Sequence, residues 1–308
     1  MFERLEKQLI NEKDKELLAC LLMNKYRSLC YNRTMKKVAI VYDFDKTLCT
    51  KDMQEYSLIP ALGYEEPVDF WKEVTVFTKE NNMDPISAYL YLLAHKFQEQ
   101  GIPLKKEMFE PLGSTIELFK GVDTWFERIN AFGQLLGLQV EHYIISSGMQ
   151  EIIQSTSIAE KFKHIYACRY FYGEDGTAEW PARIVNYTTK TQYIFRINKG
   201  VLDENDDSSL NRYVAQNDRP VPFERMVYIA DGLTDVPCMR LVKEYGGKSI
   251  AVYDKKDTVA RQLMADGRVN FMVKADYSGG SDMEKLMQKI LNHMQSDSLL
   301  EDLEGVVQ

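Results

Sequence analysis

Nothing in the 308-residue chain approaches the run of about 20 apolar residues that a membrane-spanning helix requires. The opening segment, MFERLEKQLINEKDKELL, sets acids among its apolar residues, so no export signal or membrane anchor is expected and the expected location is the cytoplasm. Positive charge is in deficit, with 38 Lys and Arg against 46 Asp and Glu for a formal net charge of −8. That balance excludes general binding to a nucleic-acid backbone, which prefers basic faces. The cysteines Cys20, Cys30, Cys49, Cys168 and Cys238 are scattered without a CxxC, which points to reduced, structural thiols. The histidines His95, His142, His164 and His293 have no paired metal-ligand spacing. Repeats and low-complexity tracts are also missing.

What is present is an ordinary globular composition, 45% apolar and 27% charged, able to bury a substantial core. Within it, four aspartates fall in two short clusters, each just beyond a run of apolar β-formers. Val38–Tyr42 reads as a doubly buried parallel strand and ends on Asp43. Alternate residues of extended chain face the same way, so Asp43 and Asp45 point together and Phe44 points away. Met226–Ala230 is a second such run; Asp231 ends it, Gly232 permits a sharp turn, and Asp235 opens the next helix. A third run, Val140–Ile145, is expected to stop at Ser146-Ser147-Gly148, where hydroxyls and amides can receive a phosphate at a helix start. Ligands of open parallel sheets collect outside the carboxyl ends of the strands, so these three tips suggest one composite site. Crowded carboxylates call for a hard divalent cation, and Mg²⁺ suits carboxylate, carbonyl and phosphate oxygens better than Zn²⁺ does.

These residues resemble the haloacid dehalogenase superfamily, and within it the phosphoserine-phosphatase-like group. The likeness runs over most of residues 34 to 292. Asp43-Phe44-Asp45-Lys46-Thr47 is similar to the first signature motif, Ser146 to the second, Lys190 in TTKTQYIF to the third, with Lys199 as the alternative, and Asp231-Gly232-Leu233-Thr234-Asp235 to the fourth, where Ala230 replaces the usual preceding glycine. The resemblance implies that Asp43 attacks phosphorus, that Asp45 protonates the leaving oxygen and later activates water, and that Ser146 and Lys190, seconded by Ser147 and Gly148, hold phosphate. It also implies Mg²⁺ bound by Asp43, the Asp45 carbonyl and Asp231, with Asp235 beside the metal shell. Phosphoserine phosphatases add a glutamate and a cap arginine that hold the amino acid. Here Asp52 stands at the first place and no arginine occurs between Arg33 and Arg128, so the likeness extends to the reaction rather than to phosphoserine.

The expected architecture is α/β: a Rossmann-like three-layer α/β/α core with a parallel sheet, formed by 34–50 and 121–295. An inserted α-helical cap occupies 51–120, an N-terminal helical extension 1–33, and an acidic tail 296–308. In the extension, Phe2, Leu5, Leu9, Leu17, Leu18, Leu21 and Leu22 make an amphipathic pattern for packing on the enzyme's own core or for a dimer contact. Trp71, Phe77, Tyr89 and Tyr91 in the cap are candidates for a substrate pocket or for core. Gly173-Glu174-Asp175-Gly176 reads as a hairpin turn, 203–222 as a polar loop, and Ser281 with Glu284 as a capping box. The expected activity is Mg²⁺-dependent hydrolysis of a small phosphorylated metabolite. A phosphotransferase or phosphomutase, or a phospholigand-binding protein without turnover, are the alternatives.

Overall fold

Seven β-strands supply the frame, and the apolar runs of the sequence are its centre. In the computed structural model, which describes residues 35–307, β1 (Lys36–Tyr42) and β5 (Met226–Ala230) lie side by side with every residue of Val38–Tyr42 and of β5 buried. The sheet order is β4-β3-β2-β1-β5-β6-β7, with β2 (Leu138–Met149), β3 (His164–Tyr172), β4 (Ala178–Arg183), β6 (Lys248–Tyr253) and β7 (Phe271–Lys274) completing it. The pairs β1–β5, β2–β3, β5–β6 and β6–β7 are parallel, while β3–β4 is the antiparallel hairpin turning at Gly173–Gly176, where Gly176 takes φ 78°. Doubly apolar strands demand cover on both faces, and the chain meets that demand with helices.

The described residues from Lys37 onward form one compact unit. The amphipathic pattern of 1–33, with Cys20 and Cys30, lies outside the described residues. Between β1 and the helix α4 (Val122–Leu135) come α1 (Leu58–Ala61), α2 (Pro67–Glu80) and α3 (Pro85–Glu99). Both longer helices start with Pro at the first turn, where a missing N–H costs nothing, and Asp84 caps α3 by accepting from the amides of Ile86 and Ser87. After β2 come α5 (Gln150–Gln154), α6 (Lys190–Lys199), α7 (Asp207–Asn211), α8 (Val236–Glu244), α9 (Thr258–Ala265) and α10 (Asp282–Val307). Among the described residues no helix is long and apolar enough to cross a membrane.

Three local expectations change. β2 runs on to Met149 instead of ending at Ile145, although its register with β3 breaks between Ile145 and Met149. The polar segment 203–222 is not all loop: the buried guanidinium of Arg196 donates to the carbonyls of Asp203 and Glu204 and to the Asp207 carboxylate, and α7 forms there. At the start of α10 the Ser281 hydroxyl accepts from the Glu284 amide as expected, but Glu284 reaches back to the amide of Gly280. The segment from 296 onward continues α10 as far as Val307.

Candidate active site

The parallel register of the two central strands brings the aspartates together. Tyr42 pairs with Ile229, and the Asp43 amide extends the ladder by donating to the Ile229 carbonyl at 2.9 Å. Asp43 and Asp231 therefore leave the sheet at the carboxyl ends of adjacent strands. Both line a cavity of about 360 Å³, together with Asp45, Asp52, Ser147 and Lys190. Beyond Asp43 the backbone turns sharply, and Lys46 takes the left-handed conformation, φ 53°, sparsely populated for a residue with a side chain. Its ammonium crosses to Asp52 at 2.5 Å.

Lys190 opens α6 but is not solvent-facing. Its side chain is 1% exposed, and its Nζ lies 2.7 Å from Asp235 Oδ1 and 3.1 Å from Asp43 Oδ1. Burial works against its charge, but the carboxylates of Asp235 and Asp43 outweigh it and hold the ammonium well above its ordinary pKa. Lys199, the alternative, is elsewhere, donating to the carbonyls of Leu210 and Arg212 at 2.5 and 2.9 Å. Asp235 is fully buried with both oxygens engaged, Oδ1 by Lys190 and by the Tyr228 hydroxyl at 2.5 Å, Oδ2 by the Thr234 hydroxyl at 2.7 Å. Asp235 thus fixes the lysine, and it stands close enough to Asp43 and Asp231 to raise the pKa of each.

The serine assignment also shifts. Ser147, not Ser146, lines the cavity, because neighbouring residues of extended chain face opposite ways. Ser146 is fully buried and its hydroxyl accepts from the Gly148 amide at 3.0 Å, which takes that amide out of the expected phosphate cradle. The Ser147 hydroxyl is buried without a partner, while its carbonyl accepts from Tyr89 at 2.7 Å. Gly148 makes room: a Cβ there would lie 2.1 Å from Met53 Cε and 2.9 Å from Asp45 Oδ2.

Electrostatically the site is a set of carboxylates held out of water. Burial, then the charge of Asp235, pushes Asp43 up to about 7. Asp231 is pushed up to about 8 by burial and then by Asp43. Asp45 stands well above the usual carboxylate range through burial, Asp52 and Asp43, although the Met53 amide donates to its Oδ1 at 2.8 Å. Cys49, buried beside them, has its thiol pushed up by burial, so it presents no ready thiolate. Among the described residues no three carboxylate, imidazole or thiolate groups are gathered for a metal. A Mg²⁺ ion needs less than that, since one or two carboxylates with a carbonyl and substrate oxygens suffice. Asp43 and Asp231, close enough that Asp43 raises the pKa of Asp231, fit that donor set, and the buried Asp43 Oδ1 has the Lys190 ammonium beside it at 3.1 Å.

The rest of the cavity wall comes from the helical segment after β1. Trp71 and Tyr89 line it, as two of the four candidate aromatics; Phe77 and Tyr91 stack on one another at 5.4 Å, away from it. Gln54, Thr75 and Ile86 also line it. Nothing in the sequence marks Gln54 beyond its closeness to the first motif.

An open, mostly parallel sheet with carboxylates gathered at the tips of its central strands is the architecture of a Rossmann-like α/β enzyme. Residues 40–240 match the model of the haloacid dehalogenase-like hydrolases, and the chain belongs to that family. It is 28% identical to an uncharacterized protein of Borreliella burgdorferi over 284 residues, 82% of this chain and 96% of that one. The fold is similar to that of a probable phosphoserine phosphatase from Vibrio cholerae, with a TM-score of 0.55 and 14% identity over 85% of this chain and 67% of that one. It is also similar to a substrate-bound phosphoserine phosphatase, with a TM-score of 0.52 and 18% identity over 79% and 96%. A haloacid dehalogenase family hydrolase from Salmonella enterica serovar Typhi aligns with a TM-score of 0.53 and 15% identity over 77% and 68%.

Proposed function

We propose that this hydrolase is a Mg²⁺-dependent phosphatase that cleaves a small phosphomonoester through an aspartyl-phosphate. The observation that carries the reading is the junction of Asp43 and Asp231 on adjacent strand tips, with Lys190 ion-paired to Asp43. An Asp43 carboxylate oxygen attacks phosphorus, forming the acyl-phosphate bond as the ester P–O bond breaks. Asp45, whose raised pKa suits a proton donor, gives its proton to the departing oxygen. As a carboxylate it then takes a proton from the water that attacks phosphorus, which releases inorganic phosphate and frees Asp43.

Lys190 and the Ser147 hydroxyl supply positive charge and a hydrogen bond to the phosphoryl oxygens. Asp235 keeps Lys190 in place through its 2.7 Å contact. Asp43, Asp231 and the Asp45 backbone carbonyl would hold Mg²⁺, which when bound neutralises the carboxylates and polarises the phosphoryl group. The helices α2 and α3 act as a cap that keeps bulk water from the phosphoryl group, a role supported by the place of Trp71 and Tyr89 on the cavity wall. Release of inorganic phosphate from p-nitrophenyl phosphate with Mg²⁺ tests the reading. Asp43→Asn is expected to abolish release without unfolding the protein, and a variant as fast as wild type would overturn the nucleophile.

A further inference from the structure

Among the described residues of the cavity wall that come from the helical segment, one polar group is left without a partner. Trp71 spends its indole N–H on Glu55 at 3.1 Å, the Thr75 hydroxyl donates to the Trp71 carbonyl at 2.8 Å, and the Tyr89 hydroxyl donates to the Ser147 carbonyl. Lys46 and Asp52 neutralise one another. Gln54 is different. Its side chain lines the cavity at 2% exposure, and its Oε1 is buried with no hydrogen-bond partner. Turning the amide over puts Nε2 in the same place, so an unmet hydrogen bond stays in either orientation. A buried amide left in that state is costly, and a ligand group that meets it is rewarded.

The rest of that wall is mostly hydrocarbon. With their polar ends used elsewhere, Trp71 and Tyr89 present rings, packed edge to face at 5.8 Å, and Val74, Pro85 and Ile86 close the wall. A carboxylate arriving there would meet the carboxyl groups of Asp52 and Glu55 and would have to draw Lys46 away from Asp52. At about 360 Å³ the cavity sits near the lower end of small-ligand pockets, room for a phosphate and one ring.

We infer that the substrate is a phosphomonoester whose leaving group is a single uncharged ring bearing a hydroxyl or amide edge, with Gln54 reading that edge and Trp71 and Tyr89 walling the ring. The inference rests on the phosphatase reading above and narrows its substrate. A hydroxyl both donates and accepts, so it satisfies Gln54 in either orientation. Phospho-amino acids and phosphorylated hydroxy acids are disfavoured by the same wall.

The test compares kcat/KM for 3-hydroxybenzyl phosphate, benzyl phosphate, O-phosphoserine and 3-phosphoglycerate with Mg²⁺ present, p-nitrophenyl phosphate serving as a general phosphatase substrate. The 3-hydroxyl is expected to raise kcat/KM about tenfold or more over the plain ring, because a site built around a hydrogen bond penalises its absence. Both ring esters should exceed the two charged esters, and Gln54→Leu should cut the hydroxyl preference by about tenfold. A smaller preference in the wild type, its survival in Q54L, or a charged ester turned over as well as a ring ester would overturn the inference and leave the phosphatase intact. Should Q54L not fold, the wild-type ratios decide alone. No phosphate from any ester, p-nitrophenyl phosphate included, would overturn the phosphatase reading and this inference with it.

Discussion

Replacing Lys190 by methionine keeps most of the side-chain volume and deletes one charge, and the structure says what that charge compensates. The lysine is 1% exposed and lies 2.7 Å from Asp235, which is itself fully buried, and 3.1 Å from Asp43. With so little solvent to screen them, the carboxylates would be left as buried, uncompensated charge. Removing one partner of a buried ion pair costs about 3–5 kcal/mol, a large share of the roughly 5–15 kcal/mol that holds a domain folded. For a protein of this size that corresponds to a melting temperature lower by on the order of 10 °C. Urea unfolding of Lys190→Met, Asp235→Asn and the double variant measures it. The double variant is expected to recover at least about 1.5 kcal/mol relative to the sum of the singles, since removing both charges removes the conflict. Phosphate release should stay at least about 100-fold down in every variant that lacks the lysine. A Lys190→Met protein within about 1 kcal/mol of wild type, or singles that simply add, would refute the claim that this ion pair is buried and coupled.

Asp45→Ala should lower kcat by about 100-fold or more with an alkyl phosphate and by much less with p-nitrophenyl phosphate, whose leaving group needs no proton; equal losses on both would contradict the general-acid assignment. Chelation with EDTA should abolish phosphate release and added Mg²⁺ should restore it, whereas activity that survives exhaustive chelation would remove the metal from the proposal. Acid should destabilise the fold through His142, which bonds the Tyr42 hydroxyl and Asn130 at 3.0 and 2.9 Å and which burial holds down at about 3. Its folded value lies below the unfolded value of about 6.5, so its contribution is whole above that pH and is lost as pH falls towards 3. Between pH 7.5 and 5 the loss is about 2 kcal/mol, and His142→Gln should flatten the stability profile by that amount in parallel urea titrations.

Much of this protein could be read along the chain because its strongest signals are local. Val38–Tyr42 and Met226–Ala230 are strands because β-branched and aromatic residues run unbroken there, and the aspartate that ends each run had to sit at a strand tip. The hairpin at Gly173–Gly176 and the serine cap at Ser281 are likewise matters of a few neighbouring residues. Ser147 displaced Ser146 because facing is settled by one residue of register, and β2 continues past the point where its apolar run ends.

Residue order thus determined the strand tips, the four acidic side chains and the parallel sheet that gathers them, since periodicity and burial act over a handful of positions. Folding alone decided that Asp235 holds Lys190 from 45 residues away, that Trp71 and Tyr89 face the cavity while Phe77 and Tyr91 do not, and that Gln54 is left with an unmet hydrogen bond. Those facts depend on which distant side chains arrive at the same place, and no local pattern carries that information.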